Sequence, residues 1–296
     1  MRSRLTAADG LRLPELFAGG YICINRTAVS ADYMLSGVEQ VSLSLPGHTE
    51  DRVDTGWRLL WQNHELLVVY KPPLLPVSRT TRNLYNTLIS LVRRQTPYYD
   101  ARLLHRLDTE TSGLVVLAKD VAADRYWKPR LSELIRAKVY HAWVEGRPDW
   151  QEKLMECQLS GQSGSAIRSQ VYVVDQDGGD YSKPRSSKTQ FRLIRSDADR
   201  SLIECRLYTG RKHQIRAQLS YLGHPLVGDK IYAHHGRFYL KRIEQGLDEN
   251  DFAQLGSGYH LLQAVELTLA IDGAMVTISL PEELRLLPAA VQPVHN

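Results

Sequence analysis

Short apolar blocks of changing period run along most of this chain. The stretch RLLWQNHELLVVYKPPLLPV predicts a strand over 58–61, a turn at Gln62-Asn63, a strand over 66–70 and a proline-broken loop from Pro72 to Pro76. Leu84, Leu88, Leu91 and Val92 recur at i, i+4, i+7 and i+8, which predicts an amphipathic helix over about 82–95 with Thr80 or Thr81 as its N-cap. The run from Leu114 to Ala118, started by Gly113 and stopped by Lys119-Asp120, reads as a buried strand. A helical segment follows within 121–137, limited by Pro129, and Lys138 to Glu145 alternates as a strand ending at Gly146. Residues 149–186 hold many Gly, Ser, Gln and Asp residues and predict an irregular excursion with one strand at 170–174. Strands resume at 188–194 and 201–208, where Ile203, Cys205 and Leu207 share one face. A helix over about 213–222 buries Ile215, Leu219 and Leu222, with Gly223 in the C′ position. VELTLAIDGAMVTISL is a hairpin about the favoured turn pair Asp272-Gly273.

Strands and helices are mixed without a regular βαβ rhythm. The fold class is therefore α+β, around a mixed, largely antiparallel sheet. Residues 1–50 form a small N-terminal extension with strand-like runs near Tyr21–Ile24 and Val41–Leu45. The polar stretch GHTEDRVDTG, 47–56, suits a linker, which leaves 55–290 as the main domain.

Composition narrows the class. With 43% hydrophobic and 24% charged residues the chain has the balance of a soluble globular protein. Its three cysteines are far apart and odd in number, without a CxxC pair, so neither a disulfide framework nor a zinc site is indicated. The first residues lack a signal-peptide pattern, and no apolar run approaches the ~20 residues of a membrane span. These features predict a reduced cytoplasmic protein with no membrane partner; a monomer is the default state. Net charge is only +4, but from Cys205 to Arg242 eight Lys and Arg residues face one acid, Asp229. A local basic surface of this kind fits a phosphate-bearing partner or a plain solvated face.

Two stretches carry candidate chemistry. TGRKHQIR, 209–216, places Arg211 and Lys212 at a helix entrance, where free backbone N–H groups already favour anions, with Arg216 on the same helix face as His213. HRLDTETSG, 105–113, packs a His, an Arg and two acids before a buried strand. Asp108 there reads as a turn or cap residue or as a reactive acid. Glu110 lies too near it in sequence to make the paired carboxylates of a glycosidase. No P-loop, dinucleotide fingerprint, HExxH or nucleophile elbow occurs, so no cofactor or metal is indicated.

HRLDTETSGLVVLA closely resembles the catalytic motif of the RluA-type pseudouridine synthases. ELLVVYKP (65–72), KVYHAWVEG (138–146), YTGRKHQIRAQLSYLGHPLVGDKIYA (208–233) and LLQAVELTL (261–269) are similar to the family's other motifs and stand in the family's order. The resemblance spans roughly 58–282, and residues 1–50 are weakly similar to the small RNA-binding module that often precedes this domain, the alternative being a structural extension. The resemblance departs at Gln218 and Gln263, where His is usual, and at Thr109, where a basic residue is common.

The resemblance implies isomerisation of uridine in ribosomal or transfer RNA to its C-glycoside, with no cofactor and no metal. It implies Asp108 as the catalytic carboxylate, acting as nucleophile or as base. Tyr140 stacks on the flipped base and Arg211 pairs with Asp108. His105 and Arg106 order the loop or contact the nucleotide, and Lys71 and Lys138 pair near the site. Lys212, His213, Arg216 and Lys230 supply RNA contacts. A non-catalytic RNA-binding protein on the same fold, and an unrelated glycoside-processing enzyme, are the weaker alternatives.

Overall fold

The computed structural model describes residues 13–37, 39–44, 49–80, 82–174 and 179–286. Its internal contacts divide the chain into two units, residues 1–52 with 79–84, and residues 53–78 with 85–296.

In the first unit helix α1 (Leu13–Ala18) precedes strands β1 (Ile22–Ile24), β2 (Thr27–Ala28) and β3 (Val41–Leu43), antiparallel in the order β2-β1-β3. Asn25 and Arg26 both take positive φ, +49° and +73°, which makes the tight turn between β1 and β2. Leu16, Ile22 and Ile24 are its buried side chains.

The second unit is built on a long sheet. Its strands are β4 (Arg58–Gln62), β5 (Leu66–Lys71), β6 (Arg102–Leu103), β7 (Ser112–Ala118), β8 (Ile135–Glu145), β9 (Glu152–Ser160), β10 (Tyr172–Val173), β11 (Arg185–Ser196), β12 (Arg200–Leu207), β13 (Leu262–Ile271) and β14 (Ala274–Ser279). The order is β10-β9-β11-β12-β8-β13-β7-β5-β4, with β14 on β13 and β6 on β7. Among the described strands the β13–β7 pairing alone is parallel. The helices are α2 (Leu88–Gln95), α3 (Val121–Trp127), α4 (Leu131–Leu134), α5 (Gln214–Tyr221), α6 (Arg237–Glu244) and α7 (Glu249–Leu255).

Strands β5 and β7 are buried at every position, as apolar β-branched runs should be when both sheet faces are covered. Asp272 and Gly273 turn the β13–β14 hairpin with φ of +51° and +78°.

Two expectations are corrected. The helix predicted over 82–95 begins only at Leu88. Thr87 caps it by accepting the Ser90 N–H, while Thr80 accepts the N–H groups of Arg82 and Asn83 in a separate turn. Thr81, the other predicted cap, lies outside the described residues. The excursion at 149–186 holds a full strand, β9, which β11 registers by long-range pairing from Arg185↔Leu159 to Arg192↔Glu152. Helices α6 and α7 were not foreseen from the sequence; α7 starts in a reciprocal capping box between Asp248 and Asp251.

Candidate active site

One row of directly paired residues crosses the sheet: Gly113 of β7, Ala264 of β13, Tyr140 of β8, Cys205 of β12 and Phe191 of β11. Paired residues share a face, so the row gathers segments far apart in sequence. Gly113 is required there. Its φ is +110°, and a Cβ would lie 2.2 Å from the Ala264 carbonyl oxygen. The close approach brings the preceding loop, 104–111, against β13 and within reach of Tyr140.

That loop is fixed from several sides. Buried Lys71 donates to the carbonyls of Pro72, Leu75 and Thr109 at 2.8–2.9 Å, using all three ammonium hydrogens. Burial pulls its pKa down to about 7, against the opposing charges of Asp108 and Glu110. His105 Nε2 accepts the Val116 N–H at 3.0 Å, so the ring is neutral, and burial with the nearby Lys138 charge pushes its pKa to about 3. The Thr111 hydroxyl meets His260 Nε2 at 2.7 Å. Lys230 donates to Glu110 at 3.0 Å and to the Gly258 carbonyl at 2.8 Å.

Asp108 projects from this loop. Arg216 Nη1 donates to its Oδ2 at 2.8 Å, and His213 Nε2 lies 3.6 Å from the same oxygen. Arg216 turns its other edge, Nε and Nη2, to the two oxygens of fully buried Asp229 at 2.7 and 2.9 Å. Asp229 also accepts the N–H groups of Ile231 and Tyr232. Burial opposes ionisation of Asp108, but the charge of Arg216 and the hydrogen bond it donates hold its carboxyl below the usual carboxylate range. Asp108 is therefore an anion at neutral pH, bound through Oδ2 and with Oδ1 turned to no described partner.

A pocket of about 80 Å³ opens over this carboxylate, lined among others by Arg106, Tyr140, Leu207, Arg211, His213 and Leu262. That is far below the roughly 300–1,000 Å³ of sites that enclose a whole ligand, and suits a single planar ring. Burial and the Asp108 charge push the Tyr140 hydroxyl well above its ordinary pKa, so it stays protonated.

Arg211 does not pair with Asp108 as expected. It is exposed at the turn before α5, where its Nε donates to the Ser186 carbonyl at 3.0 Å. Gln214 braces that turn, accepting from the Arg211 N–H and the Thr209 hydroxyl and donating to Thr189. Arg216, one turn further, points inward because α5 is buried continuously from Gln214 to Leu219. Two cations read as RNA contacts are likewise spent inside the protein, Arg216 on two aspartates and Lys230 on Glu110, and Lys71 is spent on three carbonyls. Arg106, Arg211 and Lys212 remain exposed beside the pocket or at the α5 entrance. Gln218 and Gln263 are internal rather than peripheral: Gln218 bonds Thr189 and Ser187, and Gln263 bonds Ser112 and the 284–286 backbone.

The model of the RNA pseudouridylate synthase family matches residues 65–221, which contain this loop, Tyr140 and α5. The chain belongs to that family. It is 29% identical over 258 residues to the ribosomal large subunit pseudouridine synthase D of Zymomonas mobilis, covering 79% of this chain and 77% of that one. It is 31% identical over 201 residues to the tRNA pseudouridine(31) synthase of Saccharomyces cerevisiae, covering 64% and 49%. The chain spans about half to three quarters of the length of such curated relatives. The human RNA pseudouridylate synthase domain containing 1 protein superposes with a TM-score of 0.60 at 21% identity, over 78% of this chain and 86% of that one, which supports the fold.

Proposed function

We propose that this chain isomerises specific uridines to pseudouridine in ribosomal or transfer RNA, with Asp108 as the reactive carboxylate. The observation that carries the reading is the state of Asp108: ionised, held through one oxygen by Arg216, and facing a pocket of single-ring size. The free Oδ1 acts at the sugar of the flipped nucleotide, as nucleophile or as base. Tyr140 forms the wall against the detached base, which must turn before it rejoins through carbon 5. Extruding the nucleotide from its stack costs a few kcal/mol, which contacts from Arg106, Arg211 and Lys212 to the RNA backbone offset. No step in this scheme calls for a cofactor or metal. The alternative glycosidase reading loses support, since Glu110 is engaged by Lys230 and by the His260 N–H.

The relatives act, by name, on ribosomal RNA in one case and transfer RNA in the other, so both classes are candidates. The test is a pseudouridine map of total cellular RNA with the wild-type chain, with none, and with Asp108→Asn. One or more sites should appear only with the wild type. Modification retained at such a site by Asp108→Asn would sink the assignment of Asp108.

A further inference from the structure

We infer that the Tyr232 hydroxyl donates its hydrogen to His213 Nδ1 and thereby fixes His213 as the Nε2–H tautomer that faces Asp108. The inference rests on the reading of Asp108 as the reactive carboxylate, and it makes Tyr232 a positioning residue that acts through His213.

Three atoms surround the hydroxyl. The Val171 N–H donates to it at 2.9 Å, the Val171 carbonyl oxygen lies at 3.1 Å, and His213 Nδ1 also lies at 3.1 Å. A phenol has one hydrogen and can accept through its oxygen lone pairs. The Val171 amide uses the oxygen as an acceptor. The single hydrogen must then go either to the Val171 carbonyl or to the imidazole, and the two distances are equal.

Burial raises the Tyr232 pKa, so the hydroxyl keeps its hydrogen. Burial, and then the Arg216 charge, push His213 down to about 3, so at neutral pH its ring carries one N–H only. If the hydroxyl hydrogen goes to Val171, His213 must donate from Nδ1. Its bare Nε2 lone pair then faces the negative Asp108 Oδ2 at 3.6 Å, with the His213 side chain only 9% exposed. If the hydrogen goes to Nδ1, the imidazole N–H lies on Nε2 and is directed at the carboxylate. Electrostatics in a poorly solvated site selects the second arrangement. Val171 is half-buried, so its carbonyl can turn to water instead.

Other features agree. His213 takes φ of +53°, a strained conformation for a residue other than glycine, held at the entrance to α5. The Tyr232 and His213 rings meet edge to face, 5.7 Å apart. The consequence for Asp108 is a hydrogen bond from Arg216 and the nearby dipole of the His213 N–H on the same oxygen, Oδ2, which leaves Oδ1 to the pocket. Val171 belongs to the excursion between β9 and β11, so that excursion competes with His213 at the α5 entrance for one hydrogen.

The test is ¹⁵N NMR of the full-length, histidine-labelled protein without RNA, with the His213 signals identified by their loss in His213→Gln. At neutral pH the wild type should show Nε2 protonated and Nδ1 as an acceptor. Tyr232→Phe removes the donor to Nδ1 and leaves Asp108 opposite Nε2, so the Nδ1 signal should move downfield to that of an acceptor without a hydrogen bond. The kcat should fall roughly fivefold with KM unchanged, the size expected for one hydrogen bond. An Nδ1–H tautomer in the wild type, or an Nδ1 signal unmoved in Tyr232→Phe, overturns the assignment. If Tyr232→Phe does not fold, the wild-type spectrum alone decides. Absence of synthase activity would count against the proposed function, whereas the tautomer is read on the free protein and counts only against this assignment.

Discussion

Arg216 holds Asp108 from inside helix α5, its Nη1 2.8 Å from Oδ2, while the rest of the guanidinium is clamped by Asp229. Only a planar, five-donor group can bind one carboxylate bidentately and still present a hydrogen to a second. Arg216→Lys should keep the charge but lose the geometry, and a displacement of about 1 Å can lower kcat by ~10²-fold. Arg216→Ala leaves two carboxylates without their cation, and breaking a buried pair of this kind costs about 3–5 kcal/mol of stability. Steady-state kinetics and urea unfolding check both variants. Normal kcat in Arg216→Lys would show that the clamp does not aim Asp108.

Lys71 makes a second prediction. Its three carbonyl partners include Thr109, the residue after Asp108, so it ties the Asp108 loop to the end of β5. Lys71→Met fills the same space but leaves three acceptors unpaired, the Pro72 and Leu75 carbonyls among them buried, at about 1–3 kcal/mol each where water cannot replace the donor. The variant should unfold at distinctly lower urea and show reduced kcat. Equal stability to the wild type would mean that water enters and satisfies these carbonyls.

Much of this site is legible in the sequence, and the exceptions share a physical cause. Asp108 and Tyr140 were readable because each lies in a motif on a strongly apolar strand or at its mouth. The choice between Arg211 and Arg216 was not, because it depends on how completely α5 is enclosed, which is a property of the sheet around it. A signal was present: Asp229 is the one acid in a segment with eight cations, and an acid so placed marks a buried arginine or lysine. Lys230 was misread for the same reason, since its partner Glu110 stands 120 residues away. Strand β9 has a period-2 stripe in Met155, Cys157 and Leu159, interleaved with Glu156 and Gln158, but it is short and preceded by the charged pair Glu152-Lys153. The 82–95 helix failed at its start because spacing alone does not distinguish the turn at Thr80 from a first helical turn.

The exposed cations define how RNA binding should respond to salt. Arg106, Arg211 and Lys212 are exposed, whereas Arg216 and Lys230 are each about 5% exposed. Each phosphate contact removed should lower the slope of log K against log salt by about 1. Arg211→Ala and Lys212→Ala should therefore weaken RNA binding and flatten the slope, while Lys230→Met should leave the slope as it is. A flattened slope in Lys230→Met, with the fold intact, would contradict the internal role of that lysine.

Acid sensitivity follows from the buried histidines. Burial lowers His105 to about 3, His213 to about 3 and His260 to about 4, from 6.5. As pH falls below 6.5 the unfolded chain takes up protons that the folded protein refuses, so stability is greatest above that value and declines towards about 4. Asp108 and Asp229 act in a lower window. Their folded pKa values lie below 3.8, so the stability they contribute is present above 3.8 and is lost as pH falls through the lowered values. The urea midpoint should drop steadily from neutral pH into the acid range, as the unfolding free energy falls by up to about 1.4 kcal/mol per pH unit for each histidine. His105→Gln can still accept the Val116 N–H through its amide oxygen but cannot titrate, so it should flatten this decline by up to one proton. A midpoint independent of pH between 6.5 and 4 would mean that these rings are protonated within the fold.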